Sequence, residues 1–417
     1  MTGISLRRRQ AALENDSAGA IGYGENTPGA VRALDVKENH MSVMPRRVTA
    51  PSVVARKQPR IDAPSQTHSH PPTSLPSAGT VPPTRLAMVT AYDAPSARIA
   101  HRAGADMILV GDSLAMVMLG YDDTLQVTVD DIAHHTAAVV RGLQQSEAAG
   151  CDQPRPLVVG DLPWMSYHVS TEDTVRNAAA LIRAGASCVK LEGGTKRVPM
   201  VRAILDAEIP VMGHIGLTPQ SVNAFGGFKV QGKATSDADA VIADALALQA
   251  AGCFAIVLEA IPDALAAEIS AMLTIPTIGI GAGPSCDGQV LVWHDLLGFE
   301  DRLAPKFVRR YADLGACAVA AVASYVADVR SGSFPSVAES YPASAALIQA
   351  LADRYDVGAV PSTARLLAPA DGATAPVALP VRSSVGGPND GAESELTCVA
   401  GLGDQAEEFL AGLYGSR

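Results

Sequence analysis

One short segment carries two opposite charges on what the alternation predicts is one face of a β-strand. In SCVKLEGG, residues 187–194, the side chains of Cys188, Lys190 and Glu192 alternate with apolar ones. Successive side chains of a strand point to opposite faces, so these three share a face. Burying a charge without a partner is costly, so ordinary core packing does not select such a pattern. The segment therefore indicates a site that needs both an ammonium and a carboxylate.

Four apolar segments end in a carboxylate. ILVGD, LVVGD, VKLEG and IVLEA place acids at Asp112, Asp161, Glu192 and Glu259. Taken singly, each Asp is more typical of a helix cap or a turn, whereas Glu is a poor cap and a poor strand former. If the four strand ends meet, their like charges repel unless a cation or a proton compensates them. Oxygen-only ligation of this kind suits Mg²⁺.

Three neighbouring residues have a functional and a structural interpretation. His214 ends another apolar segment and is either an auxiliary ligand or hydrogen-bond donor, or a packed strand-end histidine. Lys190 is either the counter-charge for an anionic substrate or half of a structural ion pair. Ser113 either donates a hydrogen bond to the same anion or caps a helix.

The elements that must position these residues alternate between short apolar segments and longer segments with helical spacing. This pattern predicts an α/β fold, a closed (β/α)₈ TIM barrel, in which all strand carboxyl ends meet on one face. An open doubly wound sheet is the alternative, although TAYDAPSARIA lacks the glycine-rich loop expected after its first strand. The predicted strands lie within residues 86–92, 106–112, 156–161, 187–193, 209–216, 254–260, 275–283 and, more weakly, 302–308. Predicted helices include one opening on a Thr171 cap and one opening on Ser236.

Composition divides the chain into three parts. Residues 1–82 are rich in Pro, Ser, Thr and His and are predicted to be a disordered leader, a targeting segment or the product of a misjudged start. Residues 83–345 are the predicted catalytic barrel. Residues 346–417 are predicted to be a mostly disordered extension with short helices. The protein is expected to be cytoplasmic, or mitochondrial if the source is eukaryotic and the leader is a targeting segment.

Bulk composition excludes some functions. A net charge of −11 and an aromatic content of 4% argue against a nucleic-acid partner. No uninterrupted apolar run approaches the length of a membrane span, so no membrane partner is expected. The six cysteines contain no Cys-x-x-Cys pair and are expected to be reduced thiols.

From about Met88 to Pro335 the sequence resembles the ketopantoate hydroxymethyltransferase family of the phosphoenolpyruvate/pyruvate-binding barrel superfamily. The resemblance rests on ordered motifs, including TAYD, VGDSLAM, GDLPWMSY, AGASCVKLEGG, GHIGLTPQSVNAFGGFKVQGK, AIVLEAIP and IGIGAGPSCDGQVLVWHDLLG. Two departures, Ala115 after GDSL and Gln126 in TLQVT, lie beside the charged residues. They therefore concern loop shape more than chemistry.

The resemblance implies residue roles and a reaction. It implies that Mg²⁺ is held by Asp112, Asp161 and Glu192, that substrate is bound by Asp112, Ser113, Asp161 and Lys190, and that Glu259 is the proton acceptor. It further implies transfer of the one-carbon unit of 5,10-methylenetetrahydrofolate to 3-methyl-2-oxobutanoate, giving 2-dehydropantoate for pantothenate synthesis. Family members form homo-oligomers, usually decamers, and the same is expected here.

Two other functions remain as alternatives. A lyase of the same superfamily would usually carry a Lys-Lys-Cys-Gly-His loop, which this chain lacks. A non-catalytic barrel would be expected to have lost some of the charged residues, and all are present.

Two glycine-rich segments have predicted roles at the site. Residues 279–283 would let the backbone approach a ligand, and residues 223–233 form a predicted active-site loop. In that loop, Lys229 and Lys233 either attract the glutamate of folate or are solvated surface charges.

Overall fold

The computed structural model describes residues 47–57, 85–299 and 305–355, which include a closed barrel of eight parallel strands. Each strand pairs with the next in sequence, and β8 pairs with β1 through Leu86 and Gly288 to close the barrel. The predicted (β/α)₈ fold is thus confirmed. The strands are β1 (Leu86–Thr90), β2 (Met107–Val110), β3 (Leu157–Asp161), β4 (Cys188–Glu192), β5 (Val211–Gly216), β6 (Ala255–Glu259), β7 (Thr277–Ile280) and β8 (Gly288–Leu291).

Seven of the eight strands fall where the sequence predicted them, and the eighth does not. The predicted strand at residues 302–308 was wrong, because β8 is Gly288–Leu291 and residues 305–308 form a turn. Strands β7 and β8 are joined by residues 281–287 without a helix. Because a helix was expected after every strand, the eighth strand was predicted too far along the chain.

Helices surround the barrel and are numbered here in chain order. They are α1 (Ala50–Val54), α2 (Ala94–Arg102), α3 (Leu114–Val117), α4 (Val129–Ala148), α5 (Thr171–Arg183), α6 (Val198–Asp206), α7 (Val222–Phe225), α8 (Thr235–Ala251), α9 (Asp263–Met272), α10 (Trp293–Leu297), α11 (Leu314–Ser331) and α12 (Ala345–Tyr355). Two predicted starts shift slightly. The cap of α5 is Ser170, whose hydroxyl accepts from the Asp173 N–H, and α8 begins after Ala234.

Strand alternation separates two apolar regions. On β4, Val189 and Leu191 face the helices and join the core between barrel and helices, whereas Cys188 joins the core inside the barrel. Lys190 and Glu192 follow Cys188 at intervals of two and therefore point into the barrel above that interior core. The predicted shared face of these three residues is confirmed.

The amino ends of the strands are covered by α1, within the predicted disordered leader. Thr49 and Ser52 form a reciprocal capping box, and Val53 is fully buried against the interior core of the barrel. The prediction of disorder was therefore wrong for residues 47–57, where a capped turn buries apolar side chains against the barrel. The remainder of the leader, and residues 356–417, lie outside the described residues.

An ion pair fastens the segment after α1 to the barrel. The Lys57 ammonium lies 2.8 Å from Oδ2 of Asp287 and donates to the Ser270 carbonyl at 2.6 Å. Asp287 is 2% exposed, and its Oδ2 also accepts from the Thr277 N–H at 2.7 Å. This buried carboxylate, just before β8, thus has a positive partner in the N-terminal segment.

Helix α11, with 18 residues, is the longest of the described helices that bury none of their residues. Val319, Val322 and Tyr325 are more than half exposed. Among the described residues, α11 is the one helix that is long enough and apolar enough to cross a membrane, with a mean hydropathy of 1.3. Length and composition alone are weak evidence for a membrane span.

Of the five cysteines among the described residues, four match the expected reduced thiols and one does not. Cys151, Cys188, Cys253 and Cys286 are free, whereas Cys317 on α11 is disulfide-bonded. The expectation of reduced thiols was therefore wrong for Cys317.

Replacing Lys57 by Ala is expected to lower the free energy of unfolding by about 2–3 kcal/mol, because a buried carboxylate loses its charge partner. Urea denaturation near neutral pH would measure the change. Arg176→Ala is the matched control, since its pairs with Glu172 and Asp173 are exposed and should contribute no more than about 0.5 kcal/mol. Equal effects of the two substitutions would contradict the assignment of Lys57 as a structural anchor.

Candidate active site

The residues singled out from the sequence lie together at the carboxyl ends of the strands. They line one cavity of about 900 Å³, whose wall includes Asp112, Ser113, Asp161, Lys190, Glu192, His214 and Glu259. Asp161, Glu192 and Glu259 are the last residues of β3, β4 and β6, and Asp112 follows β2. The structure therefore brings every predicted site residue into one cavity.

Lys190 lies between two of the acids. Its ammonium is 2.8 Å from Oδ1 of Asp161 and 3.8 Å from Oε1 of Glu192. Burial lowers the pKa of Lys190, but the negative charges of Asp161, Glu192 and Asp112 outweigh burial and raise it overall. Lys190 is therefore a permanent cation, and the ion pair does not prevent it from facing the cavity.

His214 bridges two glutamates. Its Nδ1 lies 3.3 Å from Oε1 of Glu192, and its Nε2 lies 3.1 Å from Oε2 of Glu259. Burial and the nearby Lys190 lower the pKa of His214, whereas the two glutamates raise it to a net value of about 9. The two carboxylates favour the protonated imidazole, and each ring nitrogen lies within ion-pair distance of one of them. Nδ1 also lies 3.4 Å from Nζ of Lys190, a contact between two cations that the shared Glu192 offsets.

The two aspartates lie close to each other, and the nearby cations do not fully compensate their negative charge. The Asp112 N–H donates to Oδ2 of Asp161 at 3.0 Å. Burial, followed by the charges of Asp161 and Glu192, raises the pKa of Asp112 well above its usual range. Burial also raises the pKa of Asp161 despite its contact with Lys190. For Glu192 burial acts in the same direction, but His214 and Lys190 outweigh it and lower the pKa.

The donor set fits a hard divalent cation. Four carboxylates face two cationic side chains, so one divalent ion would balance the charge of the cluster. Mg²⁺ binds through one or two carboxylates and keeps several waters, which matches the adjacent Asp112 and Asp161. Within residues 47–57, 85–299 and 305–355, no three His, Cys, Asp or Glu side chains stand close enough to hold a metal by themselves. Water or substrate would therefore complete the coordination.

The backbone around Glu259 is unusually constrained. Gly216, at the end of β5, has a φ of +91°, and a Cβ atom there would lie 2.3 Å from the Glu259 carbonyl oxygen. The next residue, Leu217, donates its N–H to that same oxygen at 2.8 Å. Ala260 has a φ of +45°, in the left-handed region that a residue with a Cβ rarely adopts. Close approach and local strain together hold the Glu259 main chain against β5.

The mouth of the cavity includes part of the predicted active-site loop. Phe228, Lys229 and Val230 line it, as do Lys306 and Phe307. The loop is joined to the strained turn after β6, because the Gln231 N–H donates to the Ala260 carbonyl at 3.0 Å. The other lysine predicted as functional, Lys233, is not part of this wall.

Ser113 and two tyrosines form contacts that charge patterning did not reveal. The Ser113 hydroxyl lies 2.9 Å from that of Tyr92 and makes no side-chain capping bond to α3. Tyr167 and Gln220 are both buried. The Tyr167 hydroxyl donates to the Gln220 side chain, which in turn donates to Asp112. Their segments, TAYD, WMSY and TPQS, lie within the motifs that carry the family resemblance. Uncharged side chains nevertheless give no signal that distinguishes them from packing residues.

A closed parallel barrel with titratable side chains clustered at its strand carboxyl ends defines this protein as a (β/α)₈-barrel enzyme. Residues 80–337 match the sequence profile described as ketopantoate hydroxymethyltransferase. The chain belongs to the ketopantoate hydroxymethyltransferase family and is a transferase.

Individual relatives agree with this membership. The 3-methyl-2-oxobutanoate hydroxymethyltransferase of Moorella thermoacetica is 56% identical over 258 residues, covering 62% of this chain and 92% of that protein. The protein of the same name from Pelobacter propionicus is 47% identical over 302 residues, covering 72% of this chain and 100% of that protein. Among solved structures, phosphoenolpyruvate phosphomutase from Streptomyces platensis subsp. rosaceus matches at 16% identity with a TM-score of 0.40, covering 60% of this chain and 84% of that chain.

In the metal-free protein, the charge of His214 is expected to stabilise the fold in a pH-dependent way. Its pKa rises from 6.5 to about 9 on folding, so this stabilisation is fully present below pH 6.5 and is lost as the pH rises through about 9. The difference in unfolding free energy between the wild type and His214→Gln should then fall by an amount on the order of 3 kcal/mol.

Urea denaturation with a chelator, from about pH 6 to about pH 10, would measure this difference. His134→Gln is the control, because His134 is exposed on α4 outside the cavity. A difference that is constant over the whole range would show that folding does not shift the pKa of His214.

Proposed function

We propose that this protein is a 3-methyl-2-oxobutanoate hydroxymethyltransferase that produces 2-dehydropantoate for pantothenate synthesis. The observation that carries the proposal is the arrangement of Glu259 in one cavity with Lys190 and three further acids. A base, a fixed cation and a group of oxygen donors are what proton abstraction beside a carbonyl requires. The names of the relatives supply the substrate.

We propose that Asp112, Asp161 and Glu192 hold Mg²⁺, directly or through water. When bound there, the ion would bind the oxygens of the 2-oxo acid and make the C–H beside the keto group more acidic. The excess of negative charge among the four carboxylates and two cationic side chains supports this assignment.

Lys190 and Ser113 would bind and orient the substrate carboxylate. Lys190 is cationic and lines the cavity, and the Ser113 hydroxyl, paired with that of Tyr92, can donate a hydrogen bond to an anion. Because Lys190 is already oriented by Asp161, little side-chain entropy is lost when substrate binds.

Glu259 would remove the proton from carbon 3 of the substrate. His214 contacts Oε2 of Glu259, which leaves Oε1 as the oxygen that accepts the proton. The deprotonated carbon then forms the new C–C bond to the one-carbon unit. Both bonds from that unit to the folate nitrogens break, water supplies the hydroxyl group, and the nitrogens take up the two protons, so that 2-dehydropantoate and tetrahydrofolate are formed. A positioned base of this kind typically accelerates the reaction by about 10²–10⁴-fold.

We propose 5,10-methylenetetrahydrofolate as the one-carbon donor. A cavity of about 900 Å³ is far larger than a five-carbon acid requires, so a second ligand fits beside it. Phe228 and Phe307 at the mouth offer aromatic surface to a planar ring, and Lys229 and Lys306 offer positive charge to its glutamate.

We also propose that the protein is a homo-oligomer, a decamer by family resemblance. The exposed apolar side chains of α11 support a subunit contact, since a soluble monomer rarely leaves such a surface uncovered. Light scattering should give a mass several times that of the 43.0 kDa chain. A monomeric mass at micromolar concentration would contradict the proposal.

The proposed reaction predicts proton exchange at carbon 3 of 3-methyl-2-oxobutanoate in deuterated water. Proton NMR should show loss of this signal with protein and Mg²⁺, and no loss with a chelator. Addition of methylenetetrahydrofolate should then produce 2-dehydropantoate. Glu259→Gln, which keeps the shape but not the base, should slow exchange by about 10²–10⁴-fold.

Glu172→Gln is the matched control, because Glu172 is exposed on α5 and should leave exchange unchanged. Absence of both exchange and product from folded wild-type protein would refute the proposed function. Exchange that Glu259→Gln does not slow would instead assign the proton to another base.

A further inference from the structure

Gln220 occupies a buried position between two strand ends of the active site. It lies in the 3₁₀ turn Pro219–Ser221 that follows β5 and is 5% exposed. It stands behind the carboxylates and is not part of the cavity wall, so it does not meet substrate directly.

Gln220 donates to two of the acids. Its backbone N–H donates to Oε2 of Glu192 at 3.0 Å, and its Nε2 donates to Oδ2 of Asp112 at 2.8 Å. In the part of the chain that the structure describes, it is the one side chain that donates a hydrogen bond to the Asp112 carboxylate. One residue thus connects the acid after β2 with the acid that ends β4.

The direction of these bonds is determined by Tyr167. The Tyr167 hydroxyl accepts from the Glu192 N–H at 3.2 Å, so its own proton is directed to Oε1 of Gln220 at 2.6 Å. Both protons on Nε2 of Gln220 are then used, one toward Asp112 and one toward the Leu162 carbonyl at 3.0 Å. A flipped amide would place Oε1 against two acceptors and lose both bonds.

We infer that Gln220, oriented by Tyr167, is a positioning residue that sets the separation and orientation of Asp112 and Glu192 for a divalent cation. The inference rests on the proposed function for the identity of the cation. Hydrogen bonds behind metal ligands fix ligand orientation, and their loss typically costs about 10–100-fold in metal affinity.

The first test is direct binding of Mn²⁺, which shares the oxygen-ligand preference of Mg²⁺ and is observable by electron paramagnetic resonance. Gln220→Met keeps the length of the side chain and removes its hydrogen bonds, so the Mn²⁺ dissociation constant should rise about 10–100-fold. The KM for the folate should stay near the wild-type value, because Gln220 does not reach the mouth of the cavity.

The second test is whether Tyr167 acts through Gln220. Tyr167→Phe removes one hydroxyl without touching Asp112 and should raise the Mn²⁺ dissociation constant by less than Gln220→Met does. The double variant should bind Mn²⁺ nearly as weakly as Gln220→Met alone, since the hydroxyl has no amide left to orient and retains only its bond from the Glu192 N–H. Additive losses would show that Tyr167 acts independently and would overturn its part of the inference.

Gln145→Met is the matched control, because Gln145 is exposed on α4 and pairs only with Arg98 among the described residues. Circular dichroism and urea denaturation would verify that each variant is folded. If Gln220→Met does not fold, Gln220→Leu is used; it also removes the side-chain hydrogen bonds without adding charge and should likewise weaken Mn²⁺ binding.

The two proposals fail in different ways. Unchanged Mn²⁺ affinity in folded Gln220 variants, with a wild type that binds Mn²⁺, overturns the inference alone. A wild type that binds Mn²⁺ but forms no product refutes the proposed function, and weaker binding by Gln220→Met would still support the positioning role. A wild type that binds no Mn²⁺ overturns the inference.

Discussion

The active site depends on burying four carboxylates and two cationic side chains in one network. Lys190 and His214 each contact two acids, whereas Asp112 forms an ion pair with neither, so negative charge remains in excess. The raised pKa values of Asp112 and Asp161 reflect that excess. A cluster of this kind costs stability compared with an apolar core, and its retention is understandable if it binds a cation and an anionic substrate together.

The barrel makes this arrangement possible because its two ends have different tasks. At the amino ends, α1 covers the apolar interior and Lys57 pairs with the buried Asp287. At the carboxyl ends, interior positions are occupied by charged residues and the cavity opens to solvent. Stability and chemistry are thereby separated along the barrel axis, as is usual for this fold. The strained turn at Ala260 lies at the functional end, next to Glu259.

Much of the fold could be predicted because period-two apolar patterns are local. Seven strands and the face shared by Cys188, Lys190 and Glu192 were found in this way. The eighth strand was missed because GQVL is short and follows β7 without a helix. The order of residues 47–57 was missed because a single capped turn has little local signal and depends on burial of Val53 against strands distant in sequence.

Local sequence patterns are enough to predict the strand spacing, the acids at the strand ends and, through ordered motifs, the family. Residue type and spacing along the chain are sufficient for these, since each depends on near neighbours. The pairing of the charges, the position of His214 between Glu192 and Glu259, and the link that Gln220 makes from Asp112 to Glu192 are seen only in the folded barrel. Those contacts join residues from different strands and loops, and their energies depend on burial, which exists only after the barrel has closed.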